Sequence, residues 1–427
     1  MPSAEPLKVL IVSPQCDAHE VGEAWDSYHW IARLSEVCRV TLLTLRVRGR
    51  IPPSQQLPAA EVIEWERPPY TWPSERFSSL IKPWYVPFYL RARRWIGRAR
   101  AAGRRFDLIH QLMPLAMRYP SPGVGMGMPF MIGPLAGSLK TPPAFAAECA
   151  SAPLFTRLRA LDGVRLRYDP LLRRTYSEAD LVLGSSPYVG ELLSVIPLKR
   201  FEVLCEVAID DVVEGKPRPL SPPGHLRLLY VGRAVRTKGL RDAVRALSRL
   251  PDLPNVTLDA VGGGEDLAHC QSEAEQLGVA SRTTFHGRLP PEAVDAHYEK
   301  ADVFLFPSFR EPTGIVIFEA MRHGLAVITT DRGGPGHIVD ERSGIRVPVT
   351  TPQQFAGDLA EAIRLLATDK ARLSALREGA RERVQEIGSW PNKMNAMLTF
   401  YRELAGRVED ERSHGILETG RLKNGIG

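Results

Sequence analysis

Two glutamates, Glu311 and Glu319, stand on either side of a glycine that opens an apolar run. Residues 301–348 read ADVFLFPSFREPTGIVIFEAMRHGLAVITTDRGGPGHIVDERSGIRVP. A strand ends at Ser308, a short loop holds Glu311, and a helix that starts at Gly314 carries Glu319. The first backbone N–H groups of that helix, near Gly314, Ile315 and Val316, have no partners within it. They form an anion site, and a residue without a Cβ lets a phosphate come close. Glu311 lies before the helix and Glu319 more than one turn inside it. The two carboxylates can bracket a phosphate from opposite sides, one accepting hydrogen bonds from sugar hydroxyls and the other from a ribose. The same spacing fits a surface Glu before a helix and a solvated Glu on it, and spacing alone weighs the two readings evenly.

A second constellation is VGRAVRTKGL, residues 231–240, directly after a strand. Arg233 and Lys238 lie in a turn that leads into a helix. Two positive charges with backbone donors suit a diphosphate and the dianion that develops as it leaves. Taken alone, such a pair is more often a solvated helix start. The run VGGGED, residues 261–266, places Gly262 and Gly264 at a strand end, where backbone can approach a ligand closely or simply turn. The run GVGMGM, residues 123–128, leads into a strand instead of following one, so it is no dinucleotide fingerprint.

These residues need a frame. In the first half, residues 8–14, 39–45, 106–112, 129–135 and 179–186 read as buried strands, with helices around 24–36, 88–102 and 164–178. Residues 210–225 carry four prolines and little periodicity, which predicts a linker or irregular crossing. The alternation then restarts, with strands at 226–233, 256–262, 282–289, 302–308, 326–331 and 344–349. Helices are expected at 238–250, 265–277, 291–300, 315–323 and 352–366. Continuous apolar strands separated by helices mean parallel sheets covered on both faces. Two successive runs imply two Rossmann-like domains, which bind ligands at the carboxyl ends of their strands; two that face each other make a cleft.

The chain has 427 residues, 44% hydrophobic and 24% charged, enough for two to three ordinary globular cores. Its net charge of +6 is uneven: residues 1–200 carry +9 and residues 201–427 carry −3. Much of the excess lies in residues 83–106, PWYVPFYLRARRWIGRARAAGRRF, with Arg91, Arg93, Arg94, Arg98, Arg100, Arg104 and Arg105 among aromatic residues. This is a solvated helix face or a dock on an anionic membrane; nucleic acid is not expected. The five cysteines are scattered, none forms CxxC, and no His lies at zinc-ligand spacing from one, so reduced thiols are expected, with neither a disulfide framework nor a metal site. The N-terminal apolar run is short and reads as a strand rather than a signal peptide, pointing to a cytoplasmic protein. The polar tail from residue 409 is expected to be disordered.

The motifs together resemble glycosyltransferase family 4 (glycosyl transferases group 1), retaining enzymes of the GT-B fold. Glu311 and Glu319 match the family's Glu-x7-Glu pair, and ADVFLFPS, EPTG and FEAMRHGLAVI follow its pattern closely; Thr313 replaces a usual Phe. RGGPGHIVDERSGIRVP resembles the downstream pattern, with His337 where Glu is common. VGRAVRTKGL is similar to the family's GRL-x-x-x-KG motif, which makes Arg233 and Lys238 the donor diphosphate ligands. By the same resemblance Gly262 and Gly264 form the donor nucleotide turn, and Glu319 takes the ribose. His110, in FDLIHQL, stands where the family has a His that contacts the transferred sugar or acceptor, and the resemblance makes Glu311 and His110 the catalytic residues; a buried structural His is the other reading. The family's Gly-Gly pair after the first strand, whose amides touch the donor diphosphate, is reduced here to Gly22, beside Glu23, and by the resemblance Gly22 takes that role.

The resemblance implies an α/β protein of two Rossmann-like domains with parallel sheets facing a central cleft. Residues 1–209 would bind the acceptor and 210–388 the donor, and a helix over 389–408 would cross back to the N-terminal domain, with Trp390 and Tyr401 as packing residues. The implied reaction moves a sugar, with retention, from a nucleoside diphosphate sugar (UDP or GDP) to a glycan, lipid-linked or small-molecule hydroxyl. No cofactor is implied, and no metal if Arg233 and Lys238 balance the leaving charge. A GT-B epimerase or phosphorylase, or a silent nucleotide-sugar-binding subunit, are the competing readings.

Overall fold

The computed structural model describes residues 5–69, 82–149, 161–210 and 219–423. It divides into two compact units. The first comprises Met1–Ser138, Leu154–Glu206 and Met394–Gly427; the second comprises Leu139–Pro153 and Val207–Lys393.

Unit 1 is built on β1 (Lys8–Val12), β2 (Arg39–Arg46), β3 (Glu61–Glu66), β4 (Leu108–Gln111), β5 (Phe130–Leu135), β6 (Leu181–Gly184) and β7 (Phe201–Val203). They form one sheet in the order β3-β2-β1-β4-β5-β6-β7, every pairing parallel. Its helices are α1 (Glu23–Val37), α2 (Pro53–Gln56), α3 (Tyr85–Ala101), α4 (Leu161–Tyr168), α5 (Pro170–Glu178) and α6 (Tyr188–Leu193). The continuous apolar runs are the central strands: Val9, Leu10, Ile11 and Val12 are fully buried, as a sheet covered on both faces requires. The two strands the sequence reading misses are at the edges. β3 is EVIEWE, whose three glutamates hide a strand pattern while marking an edge, and β7 has only three residues. The single helix expected over 164–178 is two. Asp169 caps α5, accepting from the backbone N–H groups of Leu171 (3.0 Å) and Leu172 (3.3 Å), and Pro170 takes its first position.

Unit 2 repeats the plan with β8 (Leu226–Val231), β9 (Val256–Val261), β10 (Thr283–Gly287), β11 (Val303–Phe306), β12 (Ala326–Thr330) and β13 (Gly344–Val347). The order is β10-β9-β8-β11-β12-β13, again all parallel. Its helices are α7 (Leu240–Ser248), α8 (Leu267–Gln276), α9 (Pro291–Lys300), α10 (Ile315–Arg322), α11 (Gly333–Ile338), α12 (Pro352–Thr368) and α13 (Lys370–Gly388). The strand order reverses direction at β8 and β11, so the loops after these two strands flank the switch point where such sheets bind ligands.

Three boundaries differ from expectation. The units part at Glu206 and Val207, and residues 211–218 of the predicted linker lie outside the described residues. The stretch from Leu139, expected in the first domain, belongs to unit 2. There Phe145 packs on Phe309 (centroids 4.5 Å) and Phe355 (6.0 Å), and Glu148 accepts from Arg236 (2.7 Å) and Arg245 (3.0 Å). The last helix, α14 (Trp390–Lys423), joins unit 1 from Met394 onward. It also runs well past residue 408, through most of the tail expected to be disordered, where Glu, Arg and Leu favour helix despite the glycines.

Candidate active site

Two loops at the switch point of unit 2 carry the chemistry. The first follows β8. Its backbone turns through Arg233 into a short 3-10 stretch, Arg236–Lys238, before α7. It contains two arginines, and the structure separates their roles. Arg236 is buried: its guanidinium forms a double hydrogen bond with Asp242 (2.6 and 3.0 Å), a third bond with Glu148, and lies over Phe145 and Phe309 at 5.4 and 5.1 Å. Arg233 is exposed. The Tyr230 hydroxyl donates to the Arg233 carbonyl (3.1 Å), fixing the backbone while its side chain stays outward.

The second loop follows β11 and carries Glu311. Glu311 is 9% exposed and forms an ion pair with Lys238, so the two loops are joined by charge. Lys238 also lies over the Phe306 ring at 5.4 Å. Burial pushes its ammonium pKa down to about 7, and the positive charges of Arg233 and Arg310 act in the same direction. Two cations, Arg233 and Arg310, thus act on Lys238, which is paired with the Glu311 carboxylate. Arg310 is held by the Thr141 hydroxyl (2.9 Å), and burial lowers its pKa.

Gly314 is the N-cap of α10 with φ 105°, a conformation that L side chains rarely adopt, so the helix begins directly after Glu311 with its first N–H groups at Ile315 and Val316. The loop is braced from behind by α11. Gly334 N–H donates to the Glu311 carbonyl (3.1 Å), and a Cβ on Gly333 would lie 2.2 Å from that same oxygen. The Gly-Gly pair after β12 is therefore the surface against which Glu311 is set.

Glu319 projects from the second turn of α10. It accepts from the Tyr298 hydroxyl on α9 (3.0 Å), and burial raises its pKa. Tyr298 stacks on His323, with ring centroids 5.4 Å apart. Gly262 and Gly264 form the turn after β9, tied to the Arg233 turn because Ala234 N–H donates to the Gly263 carbonyl (3.0 Å) and Gly232 N–H to Val261 (3.0 Å). Arg233, Lys238, Glu311 and Gly314 are thus brought together by this unit, with Gly262 and Gly264 on an adjoining turn. Arg310, Thr141 and Tyr298 are additions that sequence reasoning missed. Arg310 had a visible signal, as a cation directly beside Glu311 in a loop; Thr141 and Tyr298 had none, since only folding brings them in.

The two candidates in unit 1 behave differently. His110 is fully buried, and both ring nitrogens are engaged, Nδ1 with the Tyr401 hydroxyl (2.7 Å) and Nε2 with the Gly133 carbonyl (2.6 Å). Burial pushes its pKa down to about 4. Here His110 is a packing residue that fastens α14 to β4 and β5, not a group presented to a ligand, so the contact role expected for it is corrected. Gly22 caps α1 with φ 69°, but the first turn of α1 carries Glu23 and Asp26. Glu23 pairs with the buried Lys82, and two carboxylates in the first turn oppose a bound anion there. The diphosphate role expected of Gly22 is disfavoured by that charge.

Residues 214–383 match the family model described as glycosyl transferases group 1. A D-inositol 3-phosphate glycosyltransferase of Corynebacterium urealyticum is 30% identical over 253 residues, 57% of this chain and 58% of that protein. A glycogen synthase of Mycobacterium tuberculosis is 32% identical over 186 residues, 43% of this chain and 44% of that one. The chain therefore spans only about half the length of the curated relatives it matches. Across nearly the whole chain the fold is that of a sucrose-phosphate synthase from Thermosynechococcus elongatus, with a TM-score of 0.61 at 21% identity, covering 95% of this chain and 100% of that one. The α/β architecture of two parallel-sheet, Rossmann-like units is that of the GT-B glycosyltransferases.

Proposed function

We propose that this chain, whose residues 214–383 match the glycosyl transferases group 1 family model, transfers a sugar from a nucleoside diphosphate donor to a hydroxyl acceptor with retention at the anomeric carbon. The observation that carries the reading is the Lys238–Glu311 ion pair at the start of α10, flanked by Arg233 and Arg310. A diphosphate needs cations and unpaired N–H donors, and a sugar needs a carboxylate to accept from its hydroxyls; this loop pair offers all of them. UDP and GDP are the expected donor nucleotides, with Glu319 on the ribose and the Gly262–Gly264 turn near the base.

In the reaction, the bond from the anomeric carbon to the donor phosphate breaks as the acceptor oxygen bonds to the same face, and the departing phosphate oxygen takes the acceptor's proton. Arg233 and Lys238, with the α10 amides, stabilise the leaving dianion. Three cations can supply this charge without a divalent metal.

The acceptor is a glycan, a lipid-linked sugar or a small molecule, and the basic surface of unit 1 favours the lipid-linked case. On α3, Val86 and Leu90 are exposed at 65% and 46%, beside exposed Arg91, Arg94, Arg98 and Arg100. Arg93 and Arg104 are spent inside the unit, on the Val124 carbonyl and on Glu61. An apolar and cationic face of this kind suits an anionic bilayer surface at ~1 kcal/mol per basic residue. Among the described residues no helix is long and apolar enough to cross a membrane. Failure to sediment with anionic vesicles at low salt refutes this part.

The test of the activity is a thermal-shift screen with UDP-, GDP-, ADP- and TDP-sugars, followed by transfer assays with the donor that stabilises. Ligand at 100 times its dissociation constant adds roughly 2.7 kcal/mol. Glu311→Ala and Lys238→Ala should each remain folded and lose at least ~100-fold in transfer, the scale of one lost charge-stabilising group. Near-normal rates in both, or an epimerised donor in the absence of acceptor, would overturn it.

A further inference from the structure

Away from the Lys238–Glu311 loops, on β9, β10 and α9, three potential metal ligands converge. They are Asp259 on β9, His286 on β10 and His297 on α9. One ligand atom from each lies within 4.8 Å of the other two. Nε2 of His286 is 2.7 Å from Oδ1 of Asp259, and the two imidazoles lie with centroids 4.3 Å apart and planes tilted by 58°. None is fully exposed at the side chain: His286 is 24% and Asp259 38% accessible. His286 stands at an irregularity in the ladder, where Phe285 pairs with Ala260 but Gly287 pairs with Val261. A step of two residues against one is a bulge, a device that re-aims a side chain.

We propose that Asp259, His286 and His297 form a binding site for a transition-metal dication of the Zn²⁺ class. The donor set decides the class. Two imidazoles and one carboxylate suit Zn²⁺ and its first-row neighbours, whereas Mg²⁺ and Ca²⁺ call for oxygen donors. A tetrahedral ion with bonds of ~2.0–2.2 Å holds its ligand atoms about 3.3–3.6 Å apart. Side-chain rotation brings the ligand atoms to that spacing, opening the 2.7 Å His286–Asp259 contact and closing the longer ones, because each ligand sits on a strand or helix whose backbone need not move. The ion replaces the hydrogen that His286 and Asp259 share and leaves a fourth position for water.

The position gives the site a consequence. Asp259 is three residues before Gly262, and His286 immediately precedes Gly287, whose carbonyl accepts from Gly262 N–H at 2.7 Å. A bound ion would clamp the sheet's edge strand and α9 at the foot of the Gly262–Gly264 turn. It is a structural clamp separate from the Lys238–Glu311 loops, and it stands whether or not the proposed transfer activity does. Sequence spacing could not reveal it, because the three ligands come from three separate elements.

Tag-free protein, stripped with chelator, is dialysed against Zn²⁺ alone and the bound metal counted, beside His297→Asn and the His286→Asn/His297→Asn double variant. Wild type should hold one more Zn²⁺ per chain than the double variant and show a rise in Tm with Zn²⁺ but none with Mg²⁺. His297→Asn, altered only on a helix surface, should lose at least tenfold in Zn²⁺ affinity while unfolding at the metal-free wild-type temperature. Equal uptake by wild type and double variant, or no uptake by wild type, overturns the site.

Discussion

Lys238 and Glu311 pair with each other although they follow different strands, β8 and β11, which are hydrogen-bonded neighbours at the point where the sheet order reverses. Arg233 and Arg310 in turn act on the lysine of this pair. In the proposed reaction a donor diphosphate would take Lys238, and the freed Glu311 would accept from sugar hydroxyls. Binding would then exchange one set of charged partners for another, rather than bring charge into an empty site.

A proton should accompany that exchange. Lys238 has a pKa of about 7 without donor, far below its ordinary 10.5, because it is buried and because Arg233 and Arg310 repel its charge. A diphosphate beside it favours the ammonium and raises the pKa again. As pH rises through 7 the free amine loses its proton and with it the ion pair to Glu311, so binding takes up a proton; near pH 6 the amine is already charged and binding takes up almost none. Titration calorimetry of the bound nucleoside diphosphate in buffers of different ionisation enthalpy should report uptake approaching one proton at pH 8. Lys238→Met should abolish it. Arg310→Met, by removing a repelling charge, should raise the free pKa and reduce uptake at pH 8.

The two arginines of the first loop should have opposite phenotypes. Arg236→Ala takes the two short hydrogen bonds from Asp242, which is fully buried and keeps only a longer 3.6 Å pair with Arg245, and should cost about 3–5 kcal/mol in urea unfolding. Arg233→Ala should leave stability within ~0.5 kcal/mol and weaken donor binding instead. If Arg236→Ala unfolds at the wild-type denaturant concentration, the buried network is not what holds this loop.

The contrast marks where the sequence was legible. The central strands of unit 1 and β11 and β12 of unit 2 are continuous buried runs, plain before folding. The paired glutamates and the Arg233–Lys238 spacing are equally plain, because each lies within one loop and the helix that follows. What could not be read is direction and long-range contact. Arg233 and Arg236 are both arginines in one turn, and only Asp242 and Glu148 decide which is turned inward. His110 looks like a site residue at a strand end until Tyr401, 291 residues away, closes over it. The strands β3 and β7 escaped because edges carry charge or are short, and helix α13, with its polar composition, lacks a clear apolar stripe.

Gly333→Ala should damage activity without touching substrate. Its φ of +58° is already costly for an L residue, and the new Cβ would meet the Glu311 carbonyl at 2.2 Å, so the loop carrying Glu311 must shift. A displacement of this kind should lower transfer by at least ~10-fold. Gly278→Ala is the control: its φ of +69° carries a similar backbone cost, about 1–2 kcal/mol, yet nothing lies within 4 Å of its new Cβ. It should lose comparable stability and keep its rate. Equal rates in the two variants would show that Gly333 does not set Glu311.

His110 should be seen in stability, not in binding. Its pKa falls from an ordinary 6.5 to about 4 on folding, because the neutral ring is buried between Tyr401 and Gly133. Between those two values the unfolded chain binds a proton that the folded chain does not. Stability therefore rises with pH through this window and is lost as pH falls from about 6.5 toward 4, at up to about 1.4 kcal/mol per pH unit for this one group. His337, lowered to about 4 by burial and by Arg383 and Lys393, acts in the same direction. His110→Gln should make the pH slope of urea stability shallower by close to one proton. Tyr401→Phe, which removes the partner of Nδ1 in the core, should cost about 1–3 kcal/mol at pH 7.5 and leave the affinity for nucleoside diphosphate unchanged. A His110→Gln protein with the wild-type pH slope, or a Tyr401→Phe protein with weakened donor binding, would return His110 to the reaction and out of the packing.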